Sequence, residues 1–142
     1  MFPSSGQCLC GQVKVVAKAP PVRMAQCHCR DCQRNTGTGH ANNALFMASD
    51  VEISGQTNDY TVTADSGNRL TRHFCPTCGA RMFGTNSGRP NMIMLPAGVF
   101  DDSSWYQPQA ILYVGRRTIW DPELPGVPTF EGMPPLPPTN TG

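Results

Sequence analysis

The sequence predicts a mainly β domain of short, mostly antiparallel strands with at most one or two short helices. Three observations predict it. Polar and apolar residues alternate through several runs of four to seven residues, the period of a strand with one buried face. Turn-forming residues punctuate those runs at about 8–12-residue intervals, the spacing of an all-β domain. Helical patterning is confined to one stretch of about two turns, residues 29–36.

In chain order, residues 12–18 open the series, with Val13, Val15 and Ala17 alternating with polar neighbours. Residues 29–36 are the helix candidate, closed by Gly37, which suits the left-handed conformation just past a helix end. Strands follow at 44–48, 51–54 and 59–63, parted by Ser49-Asp50 and by Gly55. Four more read at 69–74, 81–85, 92–95 and 110–114, punctuated by Gly67-Asn68, Gly84, Gly88-Arg89-Pro90 and Gly98. From Trp120 onward the composition shifts, and seven of the fourteen prolines fall between Pro122 and Pro138. The 142 residues therefore divide into one domain over 1–130 and a Pro-rich C-terminal tail over 131–142. The tail reads as extended, because proline removes backbone donors and opposes regular pairing.

Composition narrows the function. Charged residues make up 15% and the net charge is +1, so no field is present to capture nucleic acid or an anionic membrane. Nine of the eleven cations are arginine, the exceptions being Lys14 and Lys18. No run approaches the roughly 18–20 apolar residues that cross a bilayer. The start, MFPSSGQCLCGQ, lacks the basic and apolar regions of a secretory signal. The expected setting is the cytoplasm, where thiols stay reduced. Nothing in the pattern specifies an oligomeric state.

Seven cysteines in a reducing compartment point away from disulfides and towards metal. They fall into three groups: Cys8-Leu9-Cys10, Cys27-His28-Cys29-Arg30-Asp31-Cys32 and Cys75-Pro76-Thr77-Cys78-Gly79. Two residues between Cys75 and Cys78 bring both sulfurs to one tetrahedral zinc, with Gly79 free to take a positive φ. That is half a structural site, and Cys8 with Cys10 is the natural second half. Cys27, Cys29 and Cys32 remain, two on a strand end and the third one helical turn after Cys29. Three protein ligands and an open corner are the arithmetic of a catalytic zinc. A water, a substrate or a histidine completes it. Of the histidines, His28 lies between two ligands and is expected to point away, and His40 can return after Gly37-Thr38-Gly39. His73 is placed on a strand near the four-cysteine site. Deamination is disfavoured: it needs a His-x-Glu beside the metal, and Glu52, Glu123 and Glu131 all lie far from the cysteine groups.

In this order the three groups resemble the glutathione-dependent formaldehyde-activating enzyme family, which includes centromere protein V. The resemblance covers about residues 6–130 and rests on Gly6-Gln7-Cys8-Leu9-Cys10-Gly11, on 27–34, and on Arg72-His73-Phe74 leading into Cys75. Residues 97–102 and 115–120 are looser landmarks. It implies a β-tent fold with two zinc ions as cofactors, one structural, on Cys8, Cys10, Cys75 and Cys78, and one catalytic, on Cys27, Cys29 and Cys32. It also implies a carbon–sulfur lyase or synthase that joins formaldehyde to glutathione as S-hydroxymethylglutathione or reverses the step, with a small thiol such as glutathione as partner. Arg30 and Arg34 beside the site are candidate contacts for a carboxylated thiol, with Asp31 a further charge there. Trp105 and Trp120 read as core or loop anchors. The alternative is a non-catalytic scaffold with two structural zincs, against which the absence of a basic extension weighs.

Overall fold

The computed structural model describes residues 1–134; the last eight residues of the tail expected at 131–142 lie outside the described residues. The strands are β1 (Ser4–Gln7), β2 (Lys14–Ala17), β3 (Arg23–Cys27), β4 (Ala41–Met47), β5 (Val51–Ser54), β6 (Asn58–Thr63), β7 (Arg69–Phe74), β8 (Arg81–Asn86), β9 (Met92–Pro96) and β10 (Ala110–Leu112). One helix, α1 (Arg30–Thr36), lies between β3 and β4. Gly37 closes it at φ 74°, as the glycine after residue 36 suggests.

Two sheets result. β1, β2 and β5 pair antiparallel in the order β1-β2-β5. The other seven strands run β10-β3-β4-β9-β8-β7-β6, antiparallel except for the parallel pair β10–β3. This is the mainly β architecture that the sequence predicts, and its one α-helix among the described residues falls within the one or two short helices expected.

The alternation in residues 12–18 does what its period requires. Val13, Val15 and Ala17 are buried, against Phe46, Met82, Leu95 and Phe100. Fully burying each large side chain stabilises the fold by about 1.5–3 kcal/mol. Trp105 is the aromatic anchor of this core, edge-on to Phe46 at 6.1 Å and to Phe100 at 5.1 Å. Trp120 departs from the expected anchoring role, because it stands 65% exposed.

Two strands escape the sequence pattern. β1 reads Ser-Ser-Gly-Gln, with no large apolar residue, because its inward positions are small. A Cβ on Gly6 would collide with the Val99 carbonyl oxygen, so only glycine admits that close approach. β3 begins with a buried arginine: Arg23 donates through Nη2 to the Met133 sulfur at 3.2 Å. β10 is shorter than the expected 110–114, because Tyr113 turns to φ 55° and ψ 43° and ends the strand. Beyond it the chain returns along β10. Ile111 N–H donates to the Pro128 carbonyl at 2.9 Å, Phe130 N–H to that of Ile111 at 2.8 Å, and Val114 N–H to that of Phe130 at 3.0 Å.

Candidate metal centres

Cys8 and Cys10 occupy the turn between β1 and β2, and Cys75 and Cys78 the turn between β7 and β8. Each turn ends on a glycine of positive φ, Gly11 at 83° and Gly79 at 77°. Gly11 N–H donates to the Cys8 carbonyl at 3.1 Å and Gly79 N–H to the Cys75 carbonyl at 2.9 Å. The two turns thus present their cysteines in the same way, and the four sulfurs meet within 4.8 Å of one another. Cys8 Sγ lies 3.6 Å from Cys10 Sγ, which lies 3.7 Å from Cys75 Sγ. A tetrahedral zinc with bonds of about 2.3 Å sets its sulfurs about 3.8 Å apart. The donor set fits the ion. Burial alone raises the Cys8 thiol, but the Val13 amide, 3.2 Å from its sulfur, and the neighbouring thiols hold it down at about 6. Against the Gln12 amide, burial and the neighbouring thiols push Cys10 up to about 11, and a metal that took the four sulfurs would displace the protons they hold.

The second cluster is local. β3 ends at Cys27, Cys29 caps α1, and Cys32 lies one turn into it. The Cys32 amide donates to Cys29 Sγ at 3.3 Å. Ordinary helix capping therefore carries Cys29 and Cys32 to one side of the helix start, where their sulfurs and that of Cys27 come within 4.8 Å of one another. Thiol hydrogen bonds from Cys27 and then Cys32 push Cys29 down to about 2. Cys27 moves up, held there by the other two thiols and then by burial. Three sulfurs gathered at one point suit a thiophilic ion such as zinc.

The surroundings of this cluster contain residues to which the sequence pattern assigns no part in it. Arg72 on β7 adds its positive charge to the stabilisation of Cys29. Arg81 at the start of β8 acts on all three sulfurs and is anchored by donating to Asn43 Oδ1 at 3.0 Å. Tyr113, in its left-handed conformation, packs against the cluster; burial and then the three sulfurs push its phenol up. A non-glycine residue at positive φ beside reactive thiols is the kind of strained position that functional sites retain. The sequence signal for the arginines is slight: one lies three residues before Cys75 and the other three after Cys78. Arg30 donates to Gln33 Oε1, and Arg34 is exposed on the last turn of α1. Buried Gln33 donates to the carbonyls of His28 at 2.8 Å and Arg116 at 2.9 Å, fixing the helix to its neighbours.

No histidine is grouped with the sulfurs of either cysteine cluster. His73 stacks on Phe83 at 4.1 Å on β7. His28 and His40 do not join the three cysteines but face Asp121, their Nδ1 atoms 3.6 and 2.5 Å from its Oδ2. Burial and then His40 push His28 below the usual imidazole range.

A family model of the glutathione-dependent formaldehyde-activating enzyme matches residues 3–116, a span holding all seven cysteines. The chain belongs to this family. No curated protein matches the chain. Among solved structures, the crystal structure of a Rhodobacter sphaeroides protein is similar with a TM-score of 0.56 at 20% identity, covering 68% of this chain and 87% of that chain. At that identity the likeness is one of fold. As a member of the formaldehyde-activating family, the protein has glutathione and formaldehyde as its expected chemical setting, and two cysteine clusters able to hold zinc.

Proposed function

We propose that the protein is a zinc-dependent carbon–sulfur lyase or synthase that interconverts glutathione plus formaldehyde and S-hydroxymethylglutathione. The three-cysteine cluster carries this reading: three sulfurs with arginine charge beside them, where the other cluster has four. In this reading Cys8, Cys10, Cys75 and Cys78 hold a structural zinc, and Cys27, Cys29 and Cys32 hold the catalytic one. Zinc at the three cysteines supplies the positive charge that keeps thiols ionised near neutral pH.

The bond changes are simple. The glutathione thiol gives up its proton, and its sulfur bonds to the formaldehyde carbon. The carbonyl electron pair moves to oxygen, and that oxygen takes up one proton, so none is gained or lost overall. The reverse reaction breaks the carbon–sulfur bond and returns the proton. Arg72 and Arg81 offset the negative charge that gathers as a thiolate approaches three sulfurs. Tyr113, its phenol held above the usual range, remains an O–H donor for the carbonyl oxygen. Arg30 and Arg34, on the helix that carries Cys32, are the contacts proposed for the substrate carboxylates. The cytoplasm is the proposed setting, since its reducing poise leaves cysteines available to metal. No described helix is long and apolar enough to cross a membrane.

The test is adduct formation from glutathione and formaldehyde, followed by exchange NMR on the zinc-loaded protein. A rate above the spontaneous one, abolished in Cys32→Ser, is expected. A rate equal to the spontaneous one at full zinc loading overturns the reading in favour of a non-catalytic two-zinc module.

A further inference from the structure

His28, His40 and Asp121 bring two imidazoles and a carboxylate to one point outside both cysteine clusters, their ligand atoms within 4.8 Å of one another. His28 is only 1% exposed, yet its Nδ1 is buried without a hydrogen-bond partner. A buried ring nitrogen left without a partner is unusual, and Thr118 Oγ1 in the facing loop is a second such atom. The orphan nitrogen faces Asp121 Oδ2 at 3.6 Å. In a tetrahedral ion site with bonds of about 2.0–2.1 Å, neighbouring ligand atoms stand about 3.4 Å apart. The His28–Asp121 separation already has that size, and the His40–Asp121 pair reaches it by opening less than about an ångström.

The approach of Asp121 is built in. A Cβ on residue 39 would collide with Asp121 Oδ2, so glycine at this position is what admits the carboxylate. Arg117 Nη1 donates to the Asp121 carbonyl at 2.7 Å and to the Thr118 carbonyl at 3.2 Å, pinning residues 117–121 by their backbone. The carboxylate is left to face the two rings. Alternation along the chain end of β3 places His28 opposite to Cys27 and Cys29, so the two ligand sets lie on different sides of the same three residues. Asp121 lies beyond the residues matched by the family model.

We propose that His28, His40 and Asp121 form a third metal site, taking a divalent transition-metal ion of borderline hardness such as Zn²⁺. Two imidazoles and one carboxylate are an established donor set for such ions and leave a fourth position for water. The bound ion ties residues 117–121 to the corner between β3 and α1.

Loading the full chain with a stepwise excess of cobalt(II) as it refolds tests this, because thiolate sites give intense sulfur-to-metal charge-transfer absorption and a nitrogen–oxygen site does not. Wild type is expected to bind three equivalents. His40→Ala and Asp121→Asn should each bind two, with charge-transfer intensity unchanged. Asp121→Asn keeps an acceptor for His40 and so preserves the loop. As a second readout, Zn²⁺ beyond two equivalents should raise the Tm of wild type and leave that of Asp121→Asn unmoved. Two equivalents in wild type, or three retained in both variants, would overturn the site.

Discussion

The four-cysteine cluster draws its ligands from turns 65 residues apart, one in the three-stranded sheet and one in the seven-stranded sheet. The three-cysteine cluster draws all of its ligands from six consecutive residues at the end of β3 and the start of α1. Though they differ by only one ligand, the two stand in opposite relations to the fold. Ion binding at the first closes a long loop and fastens two sheets together, so its free energy is folding free energy. Ion binding at the second closes a loop that strand and helix cap have already formed. The first site makes the structure; the second uses it.

Mutation at the first cluster should have the largest effect. Structural zinc binds with about 10–16 kcal/mol in small peptides. An ordinary domain is stable by only about 5–15 kcal/mol. Cys75→Ser or Cys78→Ser is therefore expected to give insoluble protein or protein without a cooperative melt, read by soluble yield and circular dichroism. Cys29→Ser or Cys32→Ser should leave a folded, cooperatively melting chain with one zinc fewer and no turnover. If Cys32→Ser unfolds the protein while Cys78→Ser stays folded and inactive, the two roles are exchanged. If both classes unfold alike, both metals are structural.

A smaller effect is expected at Arg81, whose charge acts on the three sulfurs from β8. Arg81→Gln should lower kcat/KM about 10–100-fold at unchanged zinc content, the usual cost of losing a residue that supports metal ligands. Zinc loss in that variant would assign Arg81 to metal retention instead. Smallest is the strain at the two turn glycines. Gly79 at φ 77° serves the first cluster and Gly37 at φ 74° closes α1 beside the second, and a Cβ at either would meet nothing within 4 Å. Gly79→Ala and Gly37→Ala should each cost about 1–2 kcal/mol by denaturant unfolding. Equal costs would show that the contrast between the clusters comes from the metal and not from turn geometry.

Much of this is legible in the sequence because cysteine spacing and period-2 alternation are local. The 12–18 alternation and the Gly37 helix stop need only neighbouring residues. β1 and β3 are hidden because their inward positions are chosen by distant partners: Gly6 by the backbone at Val99, and Arg23 by Met133. The grouping of Arg72, Arg81 and Tyr113 around the three cysteines is likewise a product of sheet order and of one left-handed residue. His28, His40 and Asp121 are separated by up to 93 residues, and no spacing rule joins them.

The return of residues 128–130 along β10 has a consequence for how the molecule behaves among its own copies. An end strand carries a row of unpaired amides and carbonyls that can template another chain. Here the chain lays its own backbone on that end of the larger sheet, through Ile111 and Val114. At the opposite end β6 has no such cover among the described residues, and it presents Tyr60, 68% exposed, among the exposed polar residues Asn58, Asp59, Thr61 and Thr63. One margin is hemmed by the chain's own backbone, and the other is the margin on which another strand would have to add.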